Sequence, residues 1–215
     1  MVPTPMYSNF KWLSALSGVG LLVMLVAVVL RLAPAWGDPA PAATPFLALS
    51  RVPVVELPHE AAGLVAAAPV LERTATATAT LQAAATMARP GVIPYVVSAI
   101  CRRTPEVTGT VVSTVVQLHP DNVLYFCRAA VCAAPDQVEQ IVASACAAKP
   151  EAYAEVALVA FERVPTADHL ILYGLTNALP ALKPYVDAAT PPGATNDFPA
   201  LINRTVQLAN AAAKR

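Results

Sequence analysis

Residues 105–149 read PEVTGTVVSTVVQLH, PDNVLYFCRAAVCAA and PDQVEQIVASACAAK, three consecutive fifteens that each open on proline. The interval extends in both directions: Pro90, Pro105, Pro120, Pro135, Pro150, Pro165 and Pro180 are seven prolines spaced by 15. Taking each proline as position 1, an acid follows at position 2 in Glu106, Asp121, Asp136 and Glu151. Position 7 is apolar in all seven units, running Val96, Val111, Phe126, Ile141, Val156, Ile171 and Val186. Position 8 holds Val97, Val112, Cys127, Val142, Ala157 and Leu172 before failing at Asp187. Apolar residues gather at positions 4, 7, 8, 11 and 12, which is one face of an α-helix.

Proline at the first helical position gives up no intrahelical hydrogen bond, and an acid just behind it meets the positive end of the helix dipole. Each unit therefore predicts a helix of about 11–12 residues starting at its proline, then a turn of about three. One continuous helix is excluded, because each interior proline costs ~3 kcal/mol or more. Fifteen residues also overshoot four turns by about 60°, so the apolar stripe would wander. A helix ~17 Å long is marginal alone and must bury its stripe against neighbours. The expected fold is all-α: short antiparallel helices stacked in an α-solenoid-like array over residues 75–189, odd helices in one layer and even in the other. Small residues near position 10, among them Ala99, Ser144 and Gly174, point to close helix contact.

The array is flanked on both sides. Residues 190–215 read as a linker and a capping helix, with Phe198, Leu201, Ile202 and Val206 on positions 4, 7, 8 and 12 of a unit starting at Thr195. Asn196 or Asp197 is its expected cap. Upstream, residues 38–74 are a Pro/Ala-rich spacer. Within it Phe46 to Leu57 reads as a short strand or an apolar strip docked on the body, Pro53 opposing a central strand. Glu60 to Ala68 reads as a weak helix. The alternation Thr74 to Thr80 fits a strand by its period, while its Ala-rich flanks favour a helix over Ala75 to Ala88, and the pattern leaves both open.

Residues 1–37 carry a signal peptide or a membrane anchor. Trp12 to Leu30 is a 19-residue run without a charge, between Lys11 and Arg31. As a helix it is ~28 Å long, close to the hydrocarbon thickness of a bilayer. Ala35 and Gly37 place small residues at a cleavage site before Asp38, whereas the length of the run favours an uncleaved span. Either way the body is expected to be exported, in the periplasm or tethered to the cytoplasmic membrane through residues 12–30. A buried core helix is the third reading of this run.

The unit Ala134 to Ala148, APDQVEQIVASACAA, resembles the A-P-(D/E)-x-x-x-x-I-V-x-A-A units of uncharacterised exported bacterial Ala/Pro-rich repeat proteins, over about residues 90–189. The resemblance implies a helical repeat and brings no activity, cofactor or catalytic residue.

Composition narrows function further. The 215 residues include 44 Ala and 21 Pro, and 14 basic residues balance 14 acidic ones. A neutral chain without a basic run offers no phosphate-tracking face, so nucleic acid is not an expected partner. No Cys/His spacing fits a zinc site, and no metal, cofactor or catalytic set is expected. Cys101, Cys127, Cys132 and Cys146 read as small buried hydrophobes, with Cys101 and Cys132 as the one candidate disulfide, two units apart. His119, ahead of Pro120, reads as a cap or an exposed turn residue, and Asp168 and His169 as neighbours pointing ~100° apart. Ser98, Ser113 and Ser144 lie away from any histidine and outside a nucleophile elbow.

Tyr95, Tyr125, Tyr153, Tyr173 and Tyr185 recur about once per unit. They read as amphipathic rim residues or as an interaction ridge for a protein partner. The expected function is an exported, non-enzymatic scaffold or adaptor in the cell envelope. The alternatives are a carrier of a lipid or small apolar ligand in a groove of the stack, and a self-associating envelope structural protein.

Overall fold

The computed structural model describes residues 45–88, 90–190 and 197–213. Residues 1–37, with the run Trp12 to Leu30 that the sequence reads as a signal peptide or anchor, lie outside them. The described residues form eleven α-helices and no strand: α1 (Pro45–Leu49), α2 (Leu57–Ala67), α3 (Arg73–Met87), α4 (Ile93–Arg103), α5 (Thr108–Leu118), α6 (Val123–Ala133), α7 (Val138–Ala148), α8 (Tyr153–Arg163), α9 (Asp168–Ala178), α10 (Lys183–Ala189) and α11 (Phe198–Ala213). Among these residues no helix is long and apolar enough to cross a membrane.

The fifteen-residue period is the structural period, but its internal division differs from the expected one. Six successive units, from α4 to α9, each contain an α-helix of 11 residues over positions 4–14. Positions 1–3, proline included, form a 3-10 turn ahead of the helix, as in Pro105–Val107. The helical stretch thus begins at its proline, as expected, but in 3-10 form, and the three-residue turn expected after it shrinks to the single joint at position 15. Position 15 is the joint. Thr104, His119, Ala134, Lys149, Val164 and Leu179 have φ between −140° and −127° and ψ between 68° and 80°. The proline that follows each of them disfavours the α region at this place. Every joint N–H donates to the carbonyl of position 11 at 2.8–3.0 Å, and every joint carbonyl accepts from the next unit's position 3 at 2.9–3.2 Å. The bend therefore leaves few backbone groups orphaned.

Alternate helices carry the packing. α2, α4, α6 and α8 pack on one another in one row, and α1, α3, α5, α7 and α9 in the other, with lighter contact between chain neighbours from α3 to α9. Position 7 is buried in all seven units, from 0% exposure at Val96 to 6% at Val186. Position 11 is fully buried in six: Ile100, Val115, Ala130, Ala145, Ala160 and Leu175. Each larger side chain among them stabilises the stack by about 1.5–3 kcal/mol relative to exposure. Because each helix buries its stripe only by lying against others, the array is a helical repeat whose stability is shared between neighbours.

The array extends upstream of the proline ruler. α2 packs on α4, α3 on α5 and α1 on α3. The Thr/Ala alternation is helical, within α3, and Thr80 is buried on its inner face. Phe46 to Leu57 contains no strand; α1 docks through Leu49, leaving Phe46 and Leu47 exposed. At the far end Asp197 caps α11, its Oδ1 accepting from Ala200 N at 3.1 Å. α11 packs on α10 and on α8, and Phe198 stacks on Phe161 with ring centroids 4.5 Å apart. The last helix so continues the α8 row.

Candidate functional site

Two of the five tyrosines share a surface. Tyr95 and Tyr125 occupy position 6 of α4 and α6, helices that pack on each other, and their exposures are 69% and 64%. Position 6 lies one residue, ~100°, from the buried position 7, which turns both rings outward. The other three do not join them. Tyr173 is exposed on α9, in the opposite row. Tyr153 is half-buried against the core, and burial, with Glu155 adding to it, raises its phenol pKa. Tyr185 is half-buried on the short α10. The candidate five-residue ridge is therefore a pair: Tyr153 and Tyr173 stand at positions 4 and 9, and Tyr185, although at position 6, is half-buried on α10.

Tyr95 also borders an apolar groove between α2 and α4. Val54, Val55, Pro58, Val92, Tyr95 and Ala99 line an open volume of about 470 Å³, with Ser98 and Arg102 at its polar margin. A second groove of about 350 Å³, lined by Phe46, Leu49, Val52, Val54, Leu57 and Met87 among others, shares Val54 with it. Val55 is 91% exposed. The sequence signal for this surface is the apolar strip Phe46 to Leu57, of which only Leu49 and Leu57 are buried.

A polar groove of about 410 Å³ lies on the other row. It is lined by Glu106, Gly109, Ser113, Glu139, Ser144 and Asn177, together with Thr110, Gln140 and Ala143. Its floor is narrow because helices approach closely there. A Cβ on Gly109 would lie 2.9 Å from Ser144 Oγ, and one on Gly174 2.5 Å from the backbone oxygen of Glu139. In both pairs position 5 of one unit faces position 10 of the unit thirty residues later. This is the contact that small residues at position 10 serve.

All four cysteines are free thiols. Cys101 is buried and Cys132 exposed, so the expected bridge is not formed. Cys101 stands at position 12 facing the core, whereas position 13, where Cys132 stands, is ~100° further round. Burial pushes Cys127 and Cys146 up to about 12. It raises Cys101 to about 11, with the neighbouring Thr108 hydroxyl drawing it partly back. Such thiols are packing groups, not nucleophiles.

His119 stands at the cap position between α5 and the next 3-10 turn, but its side chain makes no cap bond and its ring is not exposed. Its Nε2 is buried without a partner, and its ring lies tilted over Phe126 at 6.3 Å. Asp168 reaches His169 more closely than their directions imply: Oδ1 accepts from His169 N at 2.7 Å and lies 3.5 Å from Nδ1. Both side chains are solvated, and no serine joins them. Ser113 donates to Thr110 O, within its own helix. Among the described residues no group of three or more His, Cys, Asp or Glu side chains is placed to hold a metal ion. Comparison with protein-family models, curated proteins and solved structures finds no match to this chain.

Proposed function

We propose that this chain is an exported, non-enzymatic helical-repeat protein that acts by contact, a scaffold or adaptor of the cell envelope. In this reading its units alternate in direction as a short α-solenoid, held in the periplasm or at the cytoplasmic membrane by residues 12–30. The observation that carries it is the pair Tyr95 and Tyr125, two exposed rings at one register position on neighbouring helices of a row. Large amphipathic rings on a rigid backbone lose little entropy on docking, and tyrosine is enriched among residues that dominate interfaces. The test is photo-crosslinking in the native envelope from Tyr95 and Tyr125, with the exposed Asn210 as control. A discrete protein adduct from positions 95 and 125, absent from position 210, supports the reading. Equal adducts from all three positions overturn it.

The groove beside Val54, Val55 and Tyr95 favours a second reading, a carrier of a small apolar ligand. Native extraction followed by mass spectrometry separates the two, since a carrier leaves the membrane with lipid bound. Self-association through the same surface would show as concentration-dependent sedimentation.

A further inference from the structure

We infer that the apolar surface at the N-terminal end of the array, around Phe46, Val54 and Val55, lies against the lipid bilayer that holds the chain; this rests on the anchored form of the reading above. Three observations converge on it. The two apolar grooves meet at Val54, so Phe46 and Val55 belong to one continuous surface and not to scattered positions. That surface is built largely from residues 46–58, the described stretch nearest in chain to the uncharged run Trp12 to Leu30. Between that run and Pro45 stand only residues 31–44, which at ~3.5 Å per residue reach at most about 50 Å. A body tethered through residues 31–44 has this end nearest in chain to the membrane-length run.

The chemistry of the patch suits a bilayer interface. Valine, phenylalanine and proline line it, with Arg102 among the residues of the same groove. Arg51, Arg102 and Arg103 against Glu56 and Glu60, all exposed, leave one net positive charge, so apolar burial outweighs charge in the contact. Shielding of the patch therefore changes little with salt.

The experiment uses the full-length chain with Cys132 changed to Ser, reconstituted into vesicles of phosphatidylethanolamine and phosphatidylglycerol. Cysteine is introduced at Val55 or at Asn210, both exposed, and spin-labelled. Flotation reports the anchor, and collision with oxygen or a nickel chelate reports the depth of each label. The expected result is a floating chain whose Val55 label is oxygen-accessible and chelate-shielded, little changed by salt, while the Asn210 label is open to the chelate. A floating chain with an open Val55 label overturns this inference and leaves the anchor standing. A chain that does not float overturns both. A Val55 label shielded from both reagents and broadened by a second label shows that another copy covers the patch, which also overturns it.

Discussion

Gly174 of α9 stands against the backbone of Glu139 of α7, so close that a methyl group on it would lie 2.5 Å from the carbonyl oxygen and 3.3 Å from the carbonyl carbon. Backbone cannot rotate aside as a side chain can. Replacing helical glycine by alanine gains about 1 kcal/mol of propensity, whereas overpacking costs about 1–3 kcal/mol. At Gly174 the second effect wins, and Gly174→Ala is expected to destabilise the chain by about 1–2 kcal/mol net. At Gly109 the obstacle is Ser144 Oγ at 2.9 Å, the end of a short side chain that can turn. Gly109→Ala is expected to be near neutral, and stabilising when combined with Ser144→Ala. Urea unfolding of the three variants checks the order.

The thiols make a second prediction, with a definite sign. Cys127 and Cys146 are raised to about 12 and Cys101 to about 11 by burial, against ~8.5 in an unfolded chain. The folded state holds these protons longer. The stability they contribute is complete below pH ~8.5 and is lost as pH rises towards the folded values, by up to about 1.4 kcal/mol per unit for each thiol. Denaturant midpoints should fall steadily from pH 8.5 to 10.5. At pH 8 an aromatic disulfide reagent should titrate one thiol, Cys132, in the native chain and four in denaturant.

Much of this fold is legible in the sequence, since proline at every fifteenth residue fixes where each helix can begin and position 7 fixes which way it faces. The division of a unit into 3-10 and α-helix is harder to read. The missing proline N–H suits both a first α-helical turn and a 3-10 turn, and only the position-15 carbonyl accepting from position 3 decides between them. Upstream the ruler fails because the joints differ: Ala68 and Ala88 are extended, with ψ of 145° and 153°, instead of adopting the ~70° bend. The Thr/Ala alternation leaves strand and helix open, since both residues are small enough for either face of a helix. The pairing of position 5 with position 10 links residues 35 apart, as in Gly109 and Ser144, and no local pattern reports such a distance. The tyrosine pair shows the same limit: recurrence once per unit is visible, but a shared surface needs shared register and shared row.

Lys149 tests whether the joints are tied across units. Its Nζ donates to the carbonyl of Pro120 at 2.8 Å and stands 3.9 Å from Asp121 Oδ1. The Asp121 side chain is 99% exposed, against 20% for Lys149, so the carbonyl contact matters and the ion pair does not. Lys149→Met is expected to cost about 1–2 kcal/mol, unaffected by salt, and Asp121→Asn under about 0.5 kcal/mol. Thermal denaturation at two ionic strengths distinguishes these outcomes from a salt-sensitive pair.

The closing helix depends on one stacked contact. α11 follows residues 190–197 and packs on α10 and α8, where Phe198, 3% exposed, stacks on Phe161. Removing that ring takes away its burial and the ring pairing together, so Phe198→Ala should cost about 3–4 kcal/mol. Asp197→Ala, which removes only the cap on Ala200 N, should cost about 1 kcal/mol. Because a repeat array opens from its ends, the loss should be local. Hydrogen exchange in Phe198→Ala should accelerate over α11 and the α8 face beneath it, while α4 to α6 keep their protection. Uniform acceleration along the chain would show instead that the array unfolds as one cooperative unit.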